Sequence, residues 1–370
     1  MRFPLMLVVG LLLLAPRLPA VSPPAPFVHP GLLHSAADLS RLKKMVAQSA
    51  EPWRSGFESL RRHPQSQPNW RLAGPVAEVD RYKPTCRQFD FDGNAAYQNA
   101  LMWCLTGDEA HAKKAVQIMN AWSDTLSQFA GRDKILGASL GGFKYVNAAE
   151  LIRHTYPGWP PAEVRRFEQM LRRAVYPAIQ DFAAFANGNW DTGCIKTMLA
   201  MGVFCDDRII FDRGLDYYRN GSGNGRLTHY VLNEAGQCQE SGRDQQHAQL
   251  GLSHLAEACE IAWNQGVDLY SFADNRLLRG FEYTAQFNLG HTVPFTPFTD
   301  TTGKYKAKVI SPERRGELRP IYEMVWNHYG NRRGLPAPFT KQAAEKIRPE
   351  AAAQGADHPG FGTLLFSRRP

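Results

Sequence analysis

Glu240, Arg243, Asp244 and His247 stand at i, i+3, i+4 and i+7 in the stretch ESGRDQQHAQLGLSHLAEACEI, which runs from Glu240 to Ile261. At helical spacing these positions share one face, which sets carboxylates, a guanidinium and an imidazole side by side. A guanidinium pairs with an anionic group, and an imidazole exchanges a proton near neutrality. Gln245, Gln246 and Gln249 add neutral hydrogen-bonding groups beside them. A solvated first helical turn uses the same residue types, and for any one residue that reading weighs equally. The density of the group favours the wall of a binding cleft.

A second cluster is Asn187-Gly-Asn-Trp-Asp-Thr-Gly, immediately before a helix expected to begin near Asp191 or Thr192. Capping and turn chemistry accounts for Asn187, Asn189 and Asp191 taken singly. The same helix start also offers N–H groups and a positive dipole to an anion. The Asn189 amide is suited to donate to a carboxylate, and Trp190 to stack on a sugar face. A third polar stretch runs through Thr299-Asp-Thr-Thr-Gly-Lys-Tyr-Lys into Ser311–Glu323 and carries Tyr305, Arg314, Arg315 and Arg319. A tyrosine becomes a proton carrier where neighbouring cations lower its pKa, although a surface turn with a half-buried tyrosine carries more weight. Asp92, Asn94, Tyr97, Gln98 and Trp103, and further on Lys144 and Asn147, are types that line sugar clefts.

Several familiar chemistries are missing. The sequence has no Walker loop, no GxGxxG after a strand and no HExxH. GASLG at Gly137–Gly141 lacks the strand-turn-helix context of a nucleophile elbow and reads as a glycine-rich loop. His247 and His254 fall two turns apart without a third defined ligand, so neither a metal nor a cofactor is expected, and His254 reads as a core or surface histidine.

Helical periodicity surrounds these clusters. Ser35 caps a helix over AADLSRLKKMV. Asp92–Leu105 and Glu109–Phe129 form a hairpin joined at Thr106-Gly107-Asp108. Further helices are expected over Tyr145–His154, Pro161–Ala186, Asp191–Phe204, Asp206–Tyr218, the stretch from Glu240, Leu269–Leu289 and Arg319–Tyr329. Alternating strand patterns are scarce, with Lys304–Ile310 the best. FTKQAAEKIRPEAAA is helical, and FGTLLFSRR is expected to pack as a strand. Successive antiparallel helices without βαβ alternation predict an all-α protein, in which helical hairpins wind side by side into an (α/α) toroid, an incomplete barrel. Residues 21–370 carry no composition break and read as one domain.

Residues 1–20 have a basic start at Arg2, a leucine-rich core from Leu5 to Leu14 and a small-residue close near Ala20. That is the pattern of a secretory signal peptide, its apolar run too short to anchor in a bilayer, and it implies a periplasmic or secreted protein. With 44% hydrophobic and 21% charged residues the remainder is expected to fold. A net charge of +8 suits an anionic partner through field steering, and many exported proteins are simply basic. No nucleic-acid motif accompanies that charge. Six cysteines without a CxxC leave disulfides and buried thiols as equal readings.

On these residues the chain resembles the alginate lyase superfamily of α/α-toroid polysaccharide lyases. It looks closest to polysaccharide lyase family 38, whose members act on alginate or glucuronan. The resemblance covers most of residues 27–330. It begins with FVHPGLLHSAADLSRLKKMV and DGNAAYQNALMW, and it is most specific in NGNWDTG, in ESGRDQQHAQLGLSHLAEACEIAWNQGVDLY, in GFEYTAQFNLG and in RRGELRPIYE.

The resemblance implies β-elimination on a 1,4-linked polyuronate. A donor neutralises the C5 carboxylate, a base takes the C5 proton, and an acid protonates the departing O4. Asn189 matches the neutralising asparagine, with Arg243 and Glu240 in support. His247 matches the family's histidine, as base or as carboxylate-neutralising donor according to the epimer. Two positions depart from the better-known toroidal alginate lyases. Trp190 stands where a histidine follows the asparagine, and Gln246 stands where their catalytic tyrosine sits. The tyrosine is therefore sought elsewhere, first at Tyr305 and second at Tyr283. Asn187, Lys144 and Arg315 are expected to bind substrate beside Glu240, Trp190 and Gln246. The alternatives are a glycoside hydrolase on the same toroid, drawing on Asp92, Asp191, Glu240 and Asp244, and a non-catalytic polysaccharide-binding protein.

Overall fold

Ser35 opens the first helix with a capping box: its hydroxyl accepts the Asp38 N–H, and the Asp38 carboxylate accepts the Ser35 N–H. The computed structural model describes residues 25–352, 355 and 357–368, so the expected signal segment 1–20 lies outside the described residues. The elements begin with α1 (Ala36–Ala47), α2 (Trp53–Arg62), β1 (Glu78–Asp80), α3 (Pro84–Thr106), α4 (Glu109–Thr125) and β2 (Gln128–Ala130). They continue with α5 (Lys134–Thr155), α6 (Pro161–Met170), α7 (Tyr176–Ile179), α8 (Gly188–Phe204), α9 (Arg208–Asn220), α10 (Leu227–Tyr230), α11 (Gln245–Asn264) and α12 (Phe272–Asn288). The last are β3 (Phe298–Thr299), β4 (Lys306–Ala307), α13 (Tyr322–Trp326), α14 (Pro338–Lys346) and α15 (Gly362–Phe366). β1 pairs in parallel with β2 and β3 antiparallel with β4, the only strand pairs among the described residues.

α3, α5, α8 and α11 pack one against the next as the inner wall, and α4, α9 and α12 return on the outside. The protein is an all-α toroid. Inner and outer helices differ as their sequences require. α5 and α8 are buried on nearly every side and carry small and apolar residues all round, whereas α9 buries only the stripe Ile210, Phe211, Gly214, Leu215 and Tyr218. The α3–α4 hairpin turns where expected: Gly107 ends α3 in the left-handed region at φ 73°, and the Asp108 side chain caps α4 through the Ala110 N–H.

Two expectations about elements are overturned. GASLG lies inside α5 rather than in a loop. Its Gly141 is there for packing, since a Cβ at that position would sit 2.5 Å from the Phe89 ring of α3. FGTLLF forms α15 instead of a strand and packs against α2 and α13 on the side where the ring closes.

The segment leading into α15 fills the middle of the ring. Ser253 Oγ lies 2.7 Å from His358 Nδ1, His254 Nε2 lies 3.2 Å from the Asp357 carbonyl oxygen, and Arg319 Nη1 donates to Asp357 Oδ2 at 2.8 Å. Beside them Lys196 and Glu257 form a fully buried ion pair at 2.6 Å. All six cysteines are free thiols, which resolves the two readings in favour of unbridged sulfur. Among the described residues no helix is long and apolar enough to cross a membrane.

Candidate active site

α11 begins later than its periodicity suggests. Residues 240–243 form a turn, with the Arg243 N–H bonded to the Glu240 carbonyl at 2.9 Å, and Asp244 is the N-cap of the helix. The single helical face expected for Glu240, Arg243, Asp244 and His247 is therefore a turn followed by a capped helix start. Hydrogen bonds, rather than helical pitch, assemble the group. Asp244 Oδ1 accepts the His247 N–H at 2.8 Å, and Asp244 Oδ2 lies 2.6 Å from His247 Nδ1. Burial works against ionisation of Asp244, but the hydrogen bonds from His247 and the nearby charges of His247 and Arg243 outweigh it and hold the carboxyl below its usual range. An ionised Asp244 only accepts, so when the imidazole is neutral its proton sits on Nδ1 and the lone pair is on Nε2. Nε2 has no partner among the described residues, and the His247 side chain is 35% exposed.

Glu240 anchors the other side. It is fully buried and accepts from the Asn189 backbone N–H at 2.9 Å and from Asn189 Nδ2 at 2.7 and 2.9 Å. Arg243 Nη1 adds a further contact at 3.1 Å. Burial pushes the Glu240 carboxyl above its usual range, against the pull of Arg243, His247 and Asn189. The Asn189 amide N–H groups are thus turned onto Glu240. Arg243, 42% exposed, is the donor of this set that reaches solvent.

A cleft of about 550 Å³ opens over these groups and is lined by Asn187, Asn189, Trp190, Arg243, His247 and Tyr305. Trp190 packs on Leu136 and Leu140 and meets Phe185 edge-on at 6.0 Å. Asn187 stands at the N-cap position of α8 without a side-chain capping bond, its Oδ1 accepting instead from Gln239 Nε2 at 3.1 Å. Tyr305 is held by its backbone: its N–H donates to Asp300 Oδ1, and its carbonyl accepts the Asp300 N–H, each at 2.9 Å. A second cavity of about 520 Å³ also includes His247, together with Gln246, Arg314 and Arg319. Gln246 lies there, donating to the Glu317 carbonyl at 3.0 Å and accepting from Arg319 Nε at 2.6 Å.

Three expected substrate contacts are placed elsewhere. Lys144 is buried and bound to Asn94 Oδ1 and the His358 carbonyl, and burial pushes its amine down to about 7. Tyr283 is buried beside Phe287 and Val293, its hydroxyl donating to the Pro294 carbonyl at 2.8 Å. Arg315 spends its guanidinium on the carbonyls of Phe287 and His291 and stacks 4.1 Å from the Phe287 ring. Two acids of the hydrolase alternative are also committed to structure. Asp92 accepts from the indoles of Trp70 and Trp122 and from the backbone N–H groups of Ala73 and Gly74. Asp191 accepts the N–H groups of Ala183 and Gly225, and burial raises it to about 6.

The cleft also holds Arg81, Tyr82, Arg132 and Asp133, which the sequence reading missed. Tyr82 Oη donates to Asp133 Oδ2 at 2.8 Å and receives from Arg132 Nη2 at 2.6 Å. These residues lie about fifty positions apart and meet because β1 pairs with β2, where Asp80 registers with Ala130. The only local signal was arginine on both segments, in DRYKP and GRDK. With Arg243 and Lys304 they make the rim strongly basic.

The same architecture occurs in alginate lyase A1-III from Sphingomonas species A1, with a TM-score of 0.64 at 15% identity over 90% of this chain and 95% of that one. A variant of that enzyme complexed with a tetrasaccharide superposes with a TM-score of 0.61 at 16% identity, covering 90% of this chain and 94% of that one. An alginate lyase from Bacteroides ovatus gives 0.60 at 12% identity over 92% of this chain and all of its own. No protein of curated function matches the sequence. The sequence model of the family described as alginate lyase matches residues 38–293. The chain therefore belongs to the alginate lyase family and is a polysaccharide lyase.

Proposed function

We propose that the protein is an exported lyase that cleaves a 1,4-linked polyuronate, alginate or glucuronan, by β-elimination and leaves a 4,5-unsaturated end. The observation that carries this reading is the Asp244–His247 pair, which leaves an imidazole Nε2 free in a basic cleft. Arg243 faces the same cleft as the donor for the C5 carboxylate, held by the buried Glu240 that also orients Asn189. His247 Nε2 removes the C5 proton, the C4–O4 bond breaks as the C4–C5 double bond forms, and O4 takes a proton from Tyr305. The base and acid each supply roughly 10²–10⁴-fold, and donors aimed at the developing enolate supply a comparable factor.

Trp190 offers an aromatic face to a sugar ring, and Arg81, Arg132 and Lys304 supply the charge that draws in a polyanion. His247 borders both cavities, which is what cleavage within an extended chain requires. The hydrolase alternative is disfavoured because Asp92 and Asp191 are saturated by structural donors. Mass spectrometry of the products from polymannuronate, polyguluronate and glucuronan tests the reading. Elimination leaves every fragment that carries the new 4,5-unsaturated end one water lighter than its hydrolytic counterpart, and products solely of hydrolytic mass from every substrate would refute the reading.

A further inference from the structure

Away from the cleft, where the C-terminal ends of the inner helices meet the segment before α1, lies a cluster with no role in the reaction proposed above. Glu150 and His154 stand one turn apart on α5, and His29 reaches them from the N-terminal segment. One ligand atom from each lies within 4.8 Å of the others. His29 Nδ1 is 2.8 Å from Glu150 Oε1, and His154 Nε2 is 3.6 Å from Glu150 Oε2. The two imidazoles stack with centroids 4.4 Å apart and planes 12° from parallel. Glu150 is 1% exposed, and its Oε2 has no hydrogen-bond partner. A buried carboxylate oxygen left so is costly unless something cationic meets it.

Two further contacts bear on what that cation is. His29 Nε2 lies 3.1 Å from Asp206 Oδ1, an oxygen that accepts. Both ring nitrogens of His29 thus face carboxylate oxygens, Nδ1 donating to Glu150 and Nε2 to Asp206, and a metal taken on Nδ1 displaces the Nδ1 proton while Nε2 keeps Asp206. With Nδ1 on a metal, the Asp206 carboxylate behind Nε2 is the outer-shell arrangement that orients histidine ligands. We propose that His29, Glu150 and His154 bind a divalent transition-metal ion, for which their two nitrogens and one carboxylate oxygen make zinc the best match. Ligand atoms around tetrahedral zinc sit about 2.0–2.2 Å from the metal, and the borderline donor set disfavours calcium and magnesium. The rearrangement required unstacks the two rings and turns His29 off Glu150 Oε1, so that the lone pairs of His29 Nδ1 and His154 Nε2 converge on one point. That oxygen keeps the Gly31 N–H at 2.9 Å.

The ion would act as a staple. The N-terminal segment is already tied to the end of α11, where Gln265 bonds to Val28 and Gly31 and Asn264 bonds to the Leu32 carbonyl. Metal at His29 would lock the same segment to α5. The cleft residues Leu136 and Leu140 are at the other end of α5, and ten residues of helix from Leu140 to Glu150 span about 15 Å.

Chelator-treated full chain, dialysed against zinc chloride, should retain one zinc per protein, and its unfolding midpoint should rise over that of the metal-free protein. His154→Gln should lower zinc affinity at least tenfold and abolish that rise, while turnover of the polyuronate substrate stays at the wild-type rate. His247→Ala should keep the zinc. Cobalt substitution should give the visible absorption of a low-coordinate site, absent in His154→Gln. Identical midpoints for metal-free and zinc-loaded wild type would overturn the proposal without recourse to any variant. Equal zinc retention by wild type and His154→Gln would overturn it too.

Discussion

His247 and His254 lie two turns apart on α11, each bonded through Nδ1 to an oxygen, yet they occupy different solvents. His247 has Asp244 on one nitrogen and the cleft on the other. His254 is fully buried between Thr192 Oγ1 and the Asp357 carbonyl, and burial, with Lys196 behind it, drives its pKa well below the usual range. The same contrast separates their neighbours. Arg243, anchored by the buried Glu240, borders a cleft, whereas Glu257 and Lys196 neutralise each other inside the ring. Inside the ring Lys196 is turned onto Glu257 and both nitrogens of His254 onto oxygens. Chemistry needs an atom left over.

Breaking the cleft side should have the largest effect. His247→Ala removes the one imidazole with a free nitrogen at the cleft and should cut kcat roughly 10²–10⁴-fold, with a circular dichroism spectrum that overlays wild type. Glu240→Gln keeps the shape but removes the charge that holds Arg243 and receives the Asn189 amide. Misplaced donors at the substrate carboxylate should lower kcat/KM by on the order of 10²-fold, measured as initial rates on the preferred polymer.

Asp244→Asn sharpens the comparison because it touches both chemistry and stability. Loss of the carboxylate behind the imidazole should cost about 10–100-fold in rate, by analogy with the loss on removing outer-shell partners of metal-bound histidines. The stability part follows from linkage. The folded pKa of Asp244 is lowered, so its contribution is fully present above the unfolded value of about 3.9 and is lost as pH falls through the folded pKa. The gap in melting temperature between wild type and Asp244→Asn should be open near pH 7 and narrow below about pH 4. A gap that widens on acidification would contradict the assigned pairing. On the interior side, His254→Ala should destabilise by about 1–3 kcal/mol through the unpaired groups it leaves, while folded protein turns over at the wild-type rate. Urea denaturation alongside initial rates separates the two effects.

Much of this architecture could be read from the chain, because helices that bury a face must show it as periodicity. The Ser35 cap, the hairpin at Gly107 and the tail helix over 338–346 follow from such local signals. Where tertiary contact decides, local reading fails. Gly137–Gly141 reads as a loop by composition, yet it lies in α5, where the missing side chain of Gly141 lets the Phe89 ring approach. Glu240–Arg243 has helical spacing, but the Asp244 side chain accepts the His247 N–H and starts the helix after it. Asn187, Asn189, Trp190, Arg243, His247 and Tyr305 were legible as polar clusters at helix starts and on a loop, and the structure gathers them at one cleft. Lys144 looked equally suitable, and nothing local reveals that the C-terminal segment covers it. Arg81, Tyr82, Arg132 and Asp133 carried almost no signal, since a pairing between short distant strands brings them together.

The most direct test of elimination at His247 is ultraviolet absorbance of the 4,5-unsaturated uronate, followed with polymannuronate, polyguluronate and glucuronan for wild type and His247→Ala side by side. Wild type should give a steady rise on at least one polymer, reduced at least 100-fold in the variant, in line with the loss expected for a positioned base. New reducing ends without that absorbance, or equal rises from both proteins, would contradict elimination at His247.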